Sequence, residues 1–260
     1  MMRGFLSFWH LTKESFLFLR RDRIFFPMLM VGLAITYFAN LASSWTFEDW
    51  DKVLFDIGLA GFRLTGGMVA ILWGVRMISD PMQDRSIELR IAAPSARYTW
   101  ILARYIGLAA CLVIMGALFI VAWQSLMILN NFGKMSNLQS WSLGLVVCEW
   151  LVLGSLGMLA ATITNFSSAI FMTIAAWITG LVAPIVAATL SAETEPFHRQ
   201  FIEFLANVWN FQRFNMIDRL EADQVTIQLD DLIARLSWGG SVLIGCLILA
   251  AWIFQKKDLT

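Results

Sequence analysis

YIGLAACLVIMGALFIVAWQSLMI, running from Tyr105 to Ile128, contains no charged side chain. As an α-helix its 24 residues rise about 36 Å, enough to cross a bilayer core about 30 Å thick. Lipid offers the backbone no hydrogen-bond partner, so a crossing segment must be a helix or part of a closed barrel. A barrel strand would alternate apolar and polar residues. Here apolar residues fill nearly every position, so the stretch reads as a transmembrane helix.

Five further segments carry the same signature: residues 24–43, 57–77, 143–163, 168–190 and 237–254. The chain is therefore expected to be all-α, a polytopic membrane protein with six transmembrane helices in one membrane domain, 1–260. Composition agrees: 58% of the 260 residues are hydrophobic and 15% are charged, against about 25% charged in soluble domains. The second span differs from the others in holding Arg63 and the glycines Gly58, Gly61, Gly66, Gly67 and Gly74. Asp230 and Asp231 are good helix-start residues, so the last span is expected to begin ahead of residue 237.

Lysine and arginine placement sets the orientation. Arg3, Lys13, Arg20, Arg21 and Arg23 precede the first span, whereas the next loop has only Lys52 among Glu48, Asp49 and Asp51. Arg76, Arg85, Arg90, Arg97 and Arg104 crowd the following connection, Lys134 stands alone in the one after it, and Lys256 and Lys257 follow the last span. This alternation puts both termini on the cytoplasmic side. No cleavable signal peptide is expected, because charges interrupt the short apolar run after residue 4.

Three polar segments shape the rest. Residues 1–23 are expected to form an interfacial amphipathic helix, with Phe5, Phe8, Trp9, Phe16 and Leu19 on one stripe and His10, Glu14 and Arg21 opposite. The alternative is a plain extension of the first span, against which the polar Arg20-Arg21-Asp22-Arg23 break argues. Residues 191–236 form the extracytoplasmic loop, where Phe197, Phe201, Phe204, Leu205 and Val208 repeat at helical spacing after Pro196. Residues 78–100 form a charged cytoplasmic loop with a short helix expected over 83–92, stopped by Pro94. A charged helix held on the cytoplasmic face by two spans suits docking of a soluble partner.

Several functions find no support in the sequence. The Gly133-Lys134 pair has Ile128 where a phosphate-binding loop needs its first glycine, and no dinucleotide, metalloprotease or nucleophile-elbow motif is present. The formal net charge is zero, so global charge gives no reason to expect nucleic acid. Cys111, Cys148 and Cys246 lie singly in apolar runs, and His10 and His198 have no ligand cluster beside them, so no metal site is expected.

Two charges lie inside spans. Arg63 and Glu149 are each about six residues from the outer ends of their helices, about 9 Å deep, and a mid-bilayer charge costs about 2.5–3.5 kcal/mol on insertion scales. They are expected to meet as an intramembrane polar pair. That pair would either gate or line the outer half of a pathway, or tie two helices statically; alternatively Arg63 snorkels to the headgroups.

The run Asp84-Arg85, Glu88, Pro94, Arg97 and Leu102-Ala103-Arg104-Tyr105-Ile106-Gly107 resembles the cytoplasmic signature of type-2 ABC exporter permeases. The closing Phe254-Gln255-Lys256-Lys257-Asp258-Leu259 is similar to the ending of that family. The resemblance implies a permease that dimerises, with itself or a similar chain, in the bacterial cytoplasmic (inner) membrane. It also implies two copies of a separate ABC ATPase subunit, which would hold the ATP and Mg while this chain binds no cofactor. Asp84, Arg85, Glu88, Arg90, Pro94 and Arg97 would then be the ATPase-coupling residues. The span interiors have few polar groups, which slightly favours a lipidic or amphipathic cargo. Two other readings stand beside it: a membrane scaffold or receptor docking some other cytoplasmic partner, and an intramembrane enzyme using Glu149 or Asp80.

Overall fold

The computed structural model describes residues 2–23, 25–43, 50–83, 97–129, 135–190, 196–216 and 229–256. In chain order the helices are α1 (Met2–Arg20), α2 (Phe25–Ser43), α3 (Trp50–Gln83), α4 (Arg97–Leu129), α5 (Asn137–Ile163), α6 (Phe166–Thr189), α7 (Pro196–Val208) and α8 (Leu229–Lys256), with a 3-10 turn at Phe211–Phe214 before α8. The described residues include no strand. Five helices are long and apolar enough to cross a membrane: α3, α4, α5, α6 and α8. The apolar part of α2, Phe26–Ala39, is shorter than that length.

The helix boundaries have local causes. Ser136 caps α5 in a capping box: its hydroxyl accepts from the Gln139 N–H at 3.2 Å, and the Gln139 side chain accepts from the Ser136 N–H at 2.9 Å. At the other end the Thr164 N–H and hydroxyl both donate to the Ala160 carbonyl, at 2.9 and 3.0 Å, before α6 starts two residues on. α1 stops at Arg20 and α2 starts at Phe25, separated by the charged turn.

α5 lies at the centre, packed against α3, α4, α6 and α8. Its most extensive contact is with α3, and glycines explain how closely the two approach. A Cβ at Gly74 would collide with the Gly154 carbonyl oxygen, and one at Gly157 would sit 3.0 Å from the Ile71 carbonyl. Backbone therefore meets backbone, as in small-residue helix packing. The other glycines of α3 are sockets for large side chains. Gly58 receives Trp123 of α4, Gly61 receives Ile35 of α2, Gly66 receives Trp150 of α5 and Gly67 receives Trp177 of α6. The glycines that set the second span apart are thus the positions where four neighbours seat against it.

α1 packs on α4 through a stripe that mixes apolar and small polar residues. Phe8, Thr12, Ser15 and Leu19 follow one helical stripe, and the last three are buried. Thr12 and Ser15 satisfy their hydroxyls within the helix, donating to the Phe8 and Leu11 carbonyls. They leave a thin surface against Gly107, where a Cβ would sit 2.6 Å from the Ser15 Cβ. Of the expected apolar stripe, Leu19 is buried and Phe8 and Phe16 are half-buried, while Trp9 is 59% exposed.

Helix also invades the region expected as a cytoplasmic loop. α3 continues to Gln83 and α4 starts at Arg97, so residues 78–83 and 97–100 are helical. Pro81 sits inside α3 and has no N–H to give the Met77 carbonyl four residues back. The Arg104 side chain replaces it, donating to that carbonyl at 3.0 Å. The helix expected over 83–92 lies, apart from Gln83, outside the described residues.

Candidate functional site

Two polar clusters stand out, one near each end of α3. The first gathers Arg63 of α3, Glu149 of α5 and Trp177 of α6. Arg63 Nε donates to Glu149 Oε2 at 2.6 Å and Arg63 Nη2 donates to Oε1 at 3.0 Å, a bidentate pair. Trp177 Nε1 donates to Glu149 Oε1 at 2.7 Å. Arg63 Nη2 also donates to the Phe211 carbonyl at 2.9 Å. The Glu149 side chain is fully buried and that of Arg63 is 15% exposed. Both carboxylate oxygens are thus occupied, and the 3-10 turn is held to the same guanidinium.

That turn is itself packed core. Phe211, Phe214 and Met216 are buried, and Phe211 and Phe214 meet Trp238 of α8 edge-on or tilted, with centroids 5.8 and 5.6 Å away. Trp209 Nε1 donates to the Ala176 carbonyl, and Gln212 Nε2 to the Leu181 carbonyl in the turn of α6 ahead of Pro184. Arg235 of α8 donates to the Arg213 and Asn215 carbonyls while pairing with Asp231. The segment after α7 is therefore tied to α3, α5, α6 and α8.

The second cluster lies where α3 and α4 approach the 84–96 segment. Buried Arg104 caps Met77, and its guanidinium sits 4.6 Å over the Trp100 ring. Trp100 stacks on Phe254 of α8, 5.2 Å between centroids and 10° from parallel. On a neighbouring face Arg76 Nη1 pairs with Asp22 at 2.6 Å and Arg76 Nε with Asp80 at 3.2 Å. The turn between α1 and α2 is thereby bound to α3.

Of the residues expected to contact an ATPase, Asp84, Arg85, Glu88, Arg90 and Pro94 lie outside the described residues, and Arg97 is the first residue of α4. Among the described residues no group of three or more His, Cys, Asp or Glu is placed to hold a metal ion. The family model for ABC-2 family transporter proteins matches residues 10–259.

The chain belongs to the ABC-2 transporter family.

The match runs from inside α1 past the end of α8, so both clusters and the 84–96 segment fall within the ABC-2 domain. No individual curated protein matches the chain. Family and apolar helices together make this a multi-pass membrane permease component of an ABC transporter, a family that implies an ABC ATPase partner.

Sequence reasoning named Arg63 and Glu149 but missed their partners. Nothing in the sequence marks Trp177 or the Phe211 carbonyl as ligands of that pair. The Arg104 cap did leave a trace: Pro81, four residues after Met77, announces an orphaned carbonyl.

Proposed function

We propose that this ABC-2 chain is the permease subunit of an ATP-driven exporter, with six spans and both termini in the cytoplasm. A separate ATPase, two copies to a permease dimer, would bind the 84–96 segment and supply the ATP and Mg. The family match over residues 10–259 carries this reading. It is supported by α3 and α4, whose ends frame the charged segment and are cross-braced by Arg104 and Met77. The pairing of both candidate carboxylates supports this reading over an intramembrane enzyme. Both Glu149 oxygens are hydrogen-bonded, and Asp80 is paired with Arg76.

The Arg63–Glu149 pair serves in this reading as a fixed tie, and not as a gate. It joins three helices and the turn at residue 211, and opening it would strand a buried carboxylate. The test is purification of the tagged chain in mild detergent. A nucleotide-binding subunit should co-purify, and its ATPase activity should be lost with Glu88→Arg. A stable complex lacking such a subunit would sink the proposal.

A further inference from the structure

The turn between α1 and α2 carries a feature outside the segment proposed to bind the ATPase. A cavity of about 640 Å³ opens beside it, lined by Arg20, Arg21, Asp22 and Arg23 together with Phe16, Phe26, Cys111 and Ile114. The lining is divided by chemistry. Three arginines stand at one end, and aromatic and aliphatic side chains of α1, α2 and α4 form the other.

The arginines outnumber the acids near them, Glu14 sharing an adjoining cavity with Arg21 and Arg23. Asp22 is the only acid in the lining, and its side chain is 7% exposed and bound to Arg76. With Asp22 neutralised in this way, the exposed Arg20, Arg21 and Arg23 leave a local excess of positive charge in four consecutive residues. The turn cannot swing away, because α1 is docked on Gly107 and Asp22 is held to α3. The apolar end does not stop at the cavity. Ile114, Leu118 and Val121 continue along one exposed face of α4, and Phe26 and Met30 along α2.

From this division we infer that the α1–α2 turn is a binding site for one anionic phospholipid. Its phosphate lies among Arg20, Arg21 and Arg23, and its acyl chains run beside Phe26, Ile114 and the exposed apolar faces beyond them. Charge complementarity selects a headgroup of net negative charge over a zwitterionic one. The apolar track selects a lipid over a soluble phosphate. The site would fasten α1 to the membrane surface next to the segment where an ATPase would push. The inference rests on the proposed placement of this turn at the cytoplasmic surface.

The test uses the complex as purified in detergent and stripped of lipid, titrated with phosphatidylglycerol or phosphatidylcholine and read by native mass spectrometry. Wild type should retain phosphatidylglycerol about tenfold more strongly than phosphatidylcholine. Replacing Arg20, Arg21 and Arg23 with Gln should abolish that preference. Replacing Arg199 and Lys256 with Gln removes two charges elsewhere and should leave it intact. Inorganic phosphate at millimolar concentration should not displace the lipid. Equal retention of the two lipids by wild type overturns the inference, as does a preference surviving the triple change. Displacement by inorganic phosphate overturns it too, by identifying a soluble-anion site. Should the triple variant fail to fold, Arg23→Gln alone must weaken the preference, and an unchanged preference counts against the site. The ATPase content of each preparation reports separately on the proposed function.

Discussion

Replacing Glu149 with Leu removes the acceptor that holds Arg63 and Trp177 together. The carboxylate takes two hydrogen bonds from the guanidinium and one from the indole, with no exposure to solvent. Removing one partner of a buried pair costs about 3–5 kcal/mol, chiefly because the other charge is stranded. The unpaired Trp177 N–H adds a penalty of about 1–3 kcal/mol, though the two overlap because both groups share one oxygen. Taking about 3 kcal/mol as the lower bound, and about 2–4 °C per kcal/mol for a chain of this size, the melting temperature should fall roughly 6–12 °C. The chain carries its own probes: Cys111 and Cys246 are buried and Cys148 is half-buried, so a thiol-reactive coumarin maleimide reports unfolding directly. Arg63→Met should cost a similar amount. The double variant should recover about 2 kcal/mol or more relative to the sum of the singles, since neither charge is then stranded. Exchanging the two charges should recover little, because an arginine at position 149 would turn donors toward the Trp177 N–H, which can only donate. Singles within about 1 kcal/mol of wild type, or strictly additive effects, would refute the fixed tie.

Arg104→Leu should destabilise by about 1–3 kcal/mol by orphaning the Met77 carbonyl, and Pro81→Ala in the same chain should restore part of that loss by returning the missing N–H. The same maleimide melt measures both, and no recovery would remove the capping role. Gly74→Ala should cost about 1–3 kcal/mol by forcing α3 away from the Gly154 backbone, while Gly240→Ala, which faces open space, should be neutral or stabilising by up to about 1 kcal/mol. Equal melting temperatures for those two variants would contradict the backbone contact between α3 and α5.

What could be read in advance divides by range. Length and apolarity are local, so α3, α4, α5, α6 and α8 were legible from counting residues. α7 was legible from the spacing of Phe197, Phe201 and Phe204. The meeting of Arg63 and Glu149 was legible as one of two outcomes, since equal depth allows a pair while an arginine at that depth can also snorkel to the headgroups. Trp177 and the Phe211 carbonyl were not legible, because which faces of α6 and of the outer segment turn inward depends on packing against α5. The part that Thr12 and Ser15 play on α1 was not legible for a related reason. The apolar stripe supplies the buried Leu19, but the polar Thr12 and Ser15 are buried too, because the α1 backbone lies close against Gly107. The run of α3 on to Gln83 was not legible, because a proline inside a helix leaves a carbonyl without its donor. A donor 23 positions later in the chain, Arg104, lifts the penalty.

The placement of both clusters on α3 bears on how the proposed coupling would travel. Arg63 and Met77 lie fourteen residues apart on one helix, about 21 Å at 1.5 Å per residue, and the Gly74–Gly154 crossing falls between them. The chain beyond Gln83 is the charged segment, and Arg104 fastens this end of α3 to α4 and, through Trp100, to Phe254 of α8. A push there therefore cannot bend α3 alone; α4 and α8 must move with it. Toward the other end Arg63 is bound to Glu149 of α5 and to the 3-10 turn, and through Glu149 to Trp177 of α6, so α3 cannot slide along α5 without breaking a buried pair. A tilt about the crossing is resisted as well: Arg63 lies about 16 Å along α3 from Gly74, so a tilt of about 10° would carry it about 3 Å and break the same pair, and Trp150 of α5 is seated on Gly66 between the two points. The energetic asymmetry points the same way. Breaking the tie costs several kcal/mol, whereas moving α3, α5 and α6 together around it strands no charge.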